Sequence, residues 1–179
     1  GWRCNLEASM MKSPRKVLVL GAGESGQAAA ICLRKEGRLV TILDERVVPP
    51  DRLSELRDSG INVVTGAESI PSGPWHLGIV SPGFPPGHPW LLRLDAEGVP
   101  VWSELELGWS RSASRMISVT GSNGKSTLVR LINHILTFHG IRAIEAGNCG
   151  PPLCRVSDER VDWIVVEASS FQLERVRAF

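Results

Sequence analysis

The feature that most constrains the fold is a glycine-rich segment, Gly121 to Thr127, between an apolar run and a helical pattern. Met116 to Thr120 predicts a strand before it. After it, apolar residues recur at the spacing of a helix that buries one face. These residues are Leu128, Leu131, Ile132, Ile135 and Leu136, and we expect them to form one continuous buried stripe. A strand, a glycine loop and a helix in this order predict a parallel α/β sheet with a phosphate-binding loop.

The residue types of this loop suit a polyphosphate. The loop consists of Gly121, Ser122, Asn123, Gly124, Lys125, Ser126 and Thr127. Its glycines allow backbone N–H groups to face the phosphates, and the positive end of the helix adds to the attraction. Lys125 is expected to reach the outer phosphates, and the Ser126 hydroxyl to bind Mg²⁺. A strict Walker loop has glycine at position 119, where this chain has valine, so the general pattern is met with one exception. A glycine turn before an ordinary helix is disfavoured, because strand, GK[ST] motif and helix coincide.

A second glycine loop, Gly21-Ala22-Gly23-Glu24-Ser25-Gly26, follows the apolar run Lys16 to Leu20. It matches the GxGxxG fingerprint of dinucleotide-binding proteins, and Asp44 ends the next predicted strand, where an acid binds a ribose hydroxyl. The same physics would hold the diphosphate of NAD or of a UDP-sugar, so the motif leaves both open. A structural turn without a ligand is a third alternative.

Three further clusters follow predicted strands. Ser81 and Gly83 belong to a proline- and glycine-rich segment at the carboxyl end of a strand, where open α/β sheets bind ligands, although a rigid connection would also explain it. Glu167 ends a buried strand of the same sheet as the phosphate loop, a common place for a Mg²⁺ ligand. Asn148 follows another strand and is either a hydrogen-bond donor to a phosphate or carboxylate or a plain turn residue.

Alternating apolar runs and helical patterns predict an α/β fold with a doubly wound parallel sheet. The polar stretch Ser110 to Arg115 predicts a linker or the end of a connecting helix, after which the pattern restarts. We therefore predict three segments, which are a leader at 1–12, a Rossmann-like domain at 13–111 and an incomplete P-loop-type α/β domain at 112–179.

The composition argues against several partners and locations. Lys and Arg number 20 against 19 Asp and Glu, a net charge of +1, which disfavours a nucleic-acid partner. The apolar runs are far shorter than the roughly 20 residues that cross a bilayer, so we predict no membrane helix. The four cysteines have no CxxC spacing, which favours a reducing cytoplasm.

Taken together, seven motifs in this order resemble the Mur ligase family, and within it the D-glutamate-adding branch. They are GxGxxG, Asp44-Glu45-Arg46, SPGxP, Glu104-Leu105-Glu106, TGSNGKST, GNxG and VVExSSFQLE. The family shares TGxNGK[ST]T with folylpolyglutamate synthetases, whereas SPG and ExSSFQLE are typical of this branch. Val119 also fits the resemblance, since the family's loop is similar there.

The resemblance implies an ATP-dependent, ADP-forming amide ligase of peptidoglycan precursor synthesis, with Mg²⁺ as a second cofactor. Its substrates would be UDP-N-acetylmuramoyl-L-alanine and D-glutamate, joined through an acyl phosphate. The UDP portion would contact Glu24, Ser25, Gly26, Asp44, Glu45, Arg46, Ser81 and Gly83. Asn148, Ser169 and Gln172 would contact the muramoyl-alanine end or its phosphates. The implied catalytic residues are Lys125, Glu167 and Asn148, the implied metal ligands are Ser126 and Glu167, and Gly121 to Thr127 would hold ATP.

The resemblance also implies that later parts of the family's central domain, and its C-terminal domain, have no counterpart before Phe179. We therefore expect this chain alone to be an inactive fragment, and we expect a monomer. Two alternatives remain. An NAD-dependent oxidoreductase would explain GxGxxG and Asp44 but not the second phosphate loop. A non-catalytic nucleotide-binding module would suit the short length of the chain.

Overall fold

The computed structural model describes residues 15–173 and 175–179, and the predicted leader at 1–12 lies outside the described residues. The fold is α/β, as predicted, with two parallel sheets that follow one another along the chain. Within the described part of the chain, no helix combines the length and apolar character that crossing a bilayer demands.

The first sheet has five parallel strands in the order β3-β2-β1-β4-β5. They are β1 (Lys16–Leu20), β2 (Leu39–Asp44), β3 (Asn62–Thr65), β4 (Leu77–Val80) and β5 (Val101–Ser103). The central strand β1 is buried after Lys16, which explains why its sequence is a continuous apolar run. The strand order reverses between β1 and β4, and open α/β sheets bind ligands at such a switch point.

Four helices in the described part of the chain accompany this sheet. They are α1 (Glu24–Lys35), α2 (Ser54–Asp58), which follows a 3-10 turn at Pro50–Leu53, α3 (Pro89–Ala96) and α4 (Glu104–Arg111). Alternate residues of β1 face opposite sides of the sheet. Val17 and Val19 share a core cluster with Ala29 of α1, whereas Leu18 and Leu20 belong to a second cluster with α3.

The second sheet has three parallel strands in the order β6-β8-β7. The strands are β6 (Arg115–Val119), β7 (Ala143–Gly147) and β8 (Trp163–Glu167). The helices are α5 (Lys125–Phe138), α6 (Leu153–Val156) and α7 (Ser170–Leu173). The middle strand β8 is buried after Trp163, so the carboxylate of Glu167 enters the interior at its carboxyl end.

The predicted buried stripe of α5 is wrong. Leu128, Leu131 and Ile135 are 46%, 52% and 48% exposed, whereas Ile132 and Leu136 pack in one cluster with the buried Val129. The sheet beneath α5 has only three strands among the described residues, so it covers the helix face that is centred on Val129. Helical spacing identifies apolar positions but not which of them meet a neighbour.

The polar stretch Ser110 to Arg115, predicted as a linker or the end of a helix, begins inside α4. The start of this helix was not predicted from the sequence. Ser103 begins the helix, because its Oγ accepts a hydrogen bond from the Glu106 backbone N–H at 3.2 Å. The helix ends at Arg111. The domain limits proposed at 111 and 112 stay a prediction.

Candidate nucleotide-binding sites

A cavity of about 550 Å³ opens at the switch point of the first sheet. Its lining includes seven of the eight residues implied for the UDP portion, namely Glu24, Ser25, Asp44, Glu45, Arg46, Ser81 and Gly83. The eighth, Gly26, lies beneath the loop. A Cβ at Gly26 would come within 1.9 Å of the Gly21 carbonyl oxygen, so a larger residue would displace the loop.

Asp44 holds the glycine loop in place. Its Oδ2 accepts a hydrogen bond from the Ala22 N–H at 2.8 Å, and its Oδ1 accepts one from the Arg46 N–H at 2.9 Å. Burial opposes ionisation of the carboxyl group, but these hydrogen bonds outweigh it and lower the pKa of Asp44. Both oxygens therefore already have protein partners, and the predicted contact of Asp44 with a ribose hydroxyl stays a prediction.

His88 is a pocket residue that the sequence analysis did not select. Its Nδ1 accepts the Trp90 N–H at 3.2 Å and so caps α3, while its Nε2 lies 3.0 Å from Glu45 Oε1. Because Nδ1 is the acceptor, the ring proton is on Nε2, which donates to Glu45. The available sequence signal was a histidine directly before the proline that starts a helix.

The phosphate loop of the second sheet is open to solvent. Residues 120–124 are exposed, and Gly121 and Gly124 have φ angles of +146° and +76°, which favour glycine. Apart from the glycine itself and its two chain neighbours, no described residue has an atom within 4 Å of a Cβ built at either position. The loop therefore has room for an anion at the start of α5.

Lys125 folds over the loop in this structure. Its Nζ donates a hydrogen bond to the Gly121 carbonyl oxygen at 2.8 Å, and a second carbonyl, that of Ser122, lies at 3.5 Å. The amine is thus held at the loop by solvent-exposed contacts, and a phosphate oxygen can take the place of the carbonyl oxygens.

Glu167 connects the phosphate loop to the neighbouring strand. Ser126 Oγ donates to Glu167 Oε2 at 2.7 Å, and Asn148 Nδ2 donates to Oε1 at 3.1 Å. The Asn148 backbone N–H also bonds to the Glu167 carbonyl oxygen at 2.9 Å. The structure brings together these three residues, which the sequence analysis selected, and Glu167 is only 2% exposed. Lys125 bonds to the loop rather than to Glu167.

The donor set around Glu167 fits Mg²⁺. The carboxylate and the Ser126 hydroxyl are both oxygen ligands, the kind that Mg²⁺ prefers, and they already lie in contact. Within the described ranges, no group of three or more His, Cys, Asp or Glu side chains is arranged to hold a metal ion. Phosphate oxygens and water would therefore complete the coordination, as is usual for Mg²⁺ at nucleotide sites.

Ser169 and Gln172 form a hydrogen-bonded pair between the two sheets. Gln172 Oε1 accepts from both the backbone N–H and the Oγ of Ser169, each at 2.9 Å. Gln172 also lines a small cleft together with Ser81, which lines the first cavity as well. The pair therefore lies beside the first cavity, while Asn148 lies beside the phosphate loop.

Two parallel sheets, each with a glycine-rich loop at its carboxyl end, define the class as parallel α/β proteins built from two successive sheets. Solved structures support this fold. The UDP-N-acetylmuramate:L-alanyl-gamma-D-glutamyl-meso-diaminopimelate ligase from Neisseria meningitides matches 89% of this chain and 55% of its own, with a TM-score of 0.51 and 16% identity. A murein peptide ligase from Psychrobacter arcticus matches 88% of this chain and 39% of its own, with a TM-score of 0.50 and 20% identity.

Curated sequences are more specific. The UDP-N-acetylmuramoylalanine–D-glutamate ligase of Gloeobacter violaceus is 44% identical over 164 residues, which cover 88% of this chain and 37% of that protein. The ligase of the same name from Streptococcus pneumoniae (strain Hungary19A-6) is 36% identical over 170 residues, 92% of this chain and 38% of that protein. No family model matches the chain. The chain is therefore a homologue of the N-terminal part of these D-glutamate ligases and spans less than two fifths of their length.

Proposed function

We propose that this chain provides the UDP-sugar site and the ATP loop of a cytoplasmic ligase that adds D-glutamate to UDP-N-acetylmuramoyl-L-alanine in peptidoglycan synthesis. The observation that carries the proposal is the 2.7 Å hydrogen bond between Ser126 Oγ and Glu167 Oε2. It joins a phosphate loop to a buried carboxylate, which is the arrangement that a magnesium nucleotide needs. The names of the similar ligases support the choice of substrates.

In this proposal, the loop from Gly121 to Thr127 binds the phosphates of ATP. On ATP binding, Lys125 Nζ leaves the Gly121 carbonyl oxygen and donates to the outer phosphates, whose negative charge it offsets. Asn148 holds one oxygen of Glu167 and so orients the carboxylate toward Ser126. Bound Mg²⁺ would neutralise charge on the phosphates. The alanyl carboxylate attacks the γ-phosphate of ATP to give an acyl phosphate and ADP, and the amine of D-glutamate then attacks the acyl carbon, forms the amide and releases inorganic phosphate and a proton. The contribution of the residues is mainly positioning and charge neutralisation.

The first cavity takes the UDP portion in this proposal. Helix α1 begins at Glu24 beside the cavity, so the positive end of its dipole favours a diphosphate there. Arg46 adds a cation whose side chain is 81% exposed and can therefore move toward a ligand. Ser169 and Gln172 lie next to Ser81, between this cavity and the second sheet, where the muramoyl-alanine end would extend.

Calorimetry with two ligands tests the first site. We expect UDP-N-acetylmuramoyl-L-alanine to bind the chain and NADH not to bind. Binding of NADH alone would overturn the assignment in favour of an oxidoreductase, since the glycine loop itself suits either ligand.

The variant Lys125→Ala tests whether the two sites are separate. We expect it to lower the affinity for Mg²⁺-ATP by about 10-fold or more, because it removes a charge-assisted contact, while UDP-sugar affinity stays unchanged. Lys35→Ala is the matched control, because Lys35 is an exposed lysine that lies outside both sites and should change neither affinity. An equal loss of both affinities in Lys125→Ala would contradict the two-site proposal.

A further inference from the structure

The imidazole of His88 is held by hydrogen bonds at both ring nitrogens and by two aromatic neighbours. Its Nδ1 caps α3 by accepting the Trp90 N–H, and its centroid lies 4.7 Å from that of Phe84 and 5.2 Å from that of Trp90. The residue is 8% exposed. The Nε2–H therefore has one direction to donate, and its partner is Glu45 Oε1 at 3.0 Å, although the two residues are 43 positions apart.

Asp44 and Glu45, at the end of β2, differ in whether a carboxylate oxygen is available to accept a hydrogen bond from a ligand. Asp44 is 3% exposed, and both of its oxygens accept bonds from the glycine loop and Arg46. Glu45 has 55% of its side chain exposed and lines the cavity. No hydrogen bond within the described residues involves Glu45 Oε2. Of the two acids at the end of β2, Glu45 is thus the one that can accept a further hydrogen bond.

We propose that His88 is a positioning residue that fixes the Glu45 carboxylate to accept a hydroxyl or imide N–H of the nucleotide in the first cavity. This rests on the proposed function, in which the cavity binds a uridine diphosphate group. A uridine nucleotide offers ribose O–H and base N–H donors, and a carboxylate is a strong acceptor for them. An exposed glutamate otherwise samples many rotamers, and holding it in advance reduces the entropy lost on binding.

The test separates the two roles of His88. In His88→Asn the shorter side chain keeps an N-cap acceptor, since asparagine is a favoured N-cap, but it is too short to reproduce the bond to Glu45. The probe is UDP, measured by calorimetry on the full chain, with thermal unfolding recorded for each variant. We expect His88→Asn to weaken UDP binding by about 3- to 10-fold, the size of a typical net hydrogen-bond contribution, without a loss of fold.

Combining His88→Asn with substitutions of Glu45 shows whether His88 positions Glu45 or has only a structural role. In Glu45→Ala, adding His88→Asn should cause no further loss, because the partner is already absent. In Glu45→Gln, which keeps an oxygen to accept from Nε2–H, adding His88→Asn should weaken UDP binding again. His139→Asn, at an exposed histidine that ends α5, is the control and should bind UDP like the parent.

Each outcome has a distinct meaning. If His88→Asn weakens UDP binding by the same factor in all backgrounds, or does not weaken it, the positioning role is overturned while the UDP site stands. If the parent chain does not bind UDP at all, the proposed function of the first cavity fails, and the positioning role fails with it.

Discussion

Four buried acidic residues show how differently this chain accommodates a carboxylate. Asp44 and Glu106 accept backbone N–H groups, the latter from Arg177, Ala178 and Phe179, and Glu167 accepts two side-chain donors. Glu104 differs. Its Oε1 accepts the Cys154 N–H at 2.6 Å, but its Oε2 is buried without a partner in the part of the chain that the structure describes. Burial therefore raises the pKa of Glu104, although the bonds from Cys154 act in the opposite direction.

The variant Glu104→Gln should change how stability depends on pH. Because the folded-state pKa of Glu104 is raised, its contribution to stability is fully present below the unfolded pKa and is lost as pH rises through the folded pKa. Glutamine keeps an oxygen for Cys154 and cannot ionise. From about pH 5 to about pH 8 we expect the Tm of the parent to fall more than that of the variant, measured by circular dichroism.

Glu55→Gln serves as the control for this experiment, since Glu55 is exposed on α2 and should leave the pH dependence of the Tm unchanged. Parallel pH profiles of Glu104→Gln and the parent would show that the buried carboxyl group does not titrate differently in the folded state.

At the scale of secondary-structure elements, the contact between α4 and α6 joins the two sheets. Gly108 lies on α4 where α6 approaches most closely. A Cβ at Gly108 would lie 2.7 Å from Leu153 Cγ and 2.9 Å from the Cys154 backbone nitrogen. Backbone atoms cannot move away as easily as the end of a side chain, so the contact requires glycine even though glycine weakens a helix.

We expect Gly108→Ala to lower the free energy of unfolding by about 1–3 kcal/mol, because overpacking outweighs the better helix propensity of alanine. Urea denaturation measures the change. Gly73→Ala is the matched control, since no described residue beyond Gly73 and its two chain neighbours has an atom within 4 Å of its Cβ position. It should stay within about 0.5 kcal/mol of the parent. A Gly108→Ala protein as stable as the control would mean that α4 and α6 can separate without cost.

At the scale of the whole molecule, two ion pairs among the described residues connect the segments that form the two sheets, and they differ in geometry. Arg175 forms a bidentate pair with Asp95 of α3, with N–O distances of 2.8 and 2.9 Å, and its carbonyl oxygen accepts the Ser103 N–H. Lys35 and Asp158 meet through one contact of 3.4 Å with most of both side chains exposed. A bidentate pair with a partly buried arginine should hold the C-terminal segment more firmly than an exposed single contact.

The comparison of Asp95→Asn with Asp158→Asn tests this difference. The hydrogen bond from Arg175 lowers the pKa of Asp95, so its contribution is present above the unfolded pKa and is lost as pH falls through the folded pKa. At neutral pH we expect Asp95→Asn to speed amide hydrogen exchange at residues 175–179. Asparagine carries no charge, and its side-chain NH2 group cannot accept a hydrogen bond from the guanidinium. Asp158→Asn should not change that exchange. Two results would contradict the stronger role of the Arg175–Asp95 pair. One is faster exchange at residues 175–179 in Asp158→Asn, and the other is an unchanged exchange rate there in Asp95→Asn.

The sequence by itself determined the parallel strands, the two glycine loops and the polar residues that follow the strands. Strands and loops of this kind are signalled by nearby residues, since a buried parallel strand is apolar throughout and a tight turn requires glycine. Because the carboxyl ends of parallel strands meet at one edge, the approach of Glu167 to Ser126 also followed from position along the chain.

Only the tertiary structure decided which side chains meet across the fold. It showed that Asp44 holds the loop, that His88 bonds to Glu45, and that part of the apolar stripe of α5 is exposed. These features depend on the distance and direction between elements far apart in the chain. Local sequence patterns determine the conformation of a segment and the polarity of its faces. Burial and hydrogen bonding depend instead on which element packs against each face, and that element is often distant in the sequence.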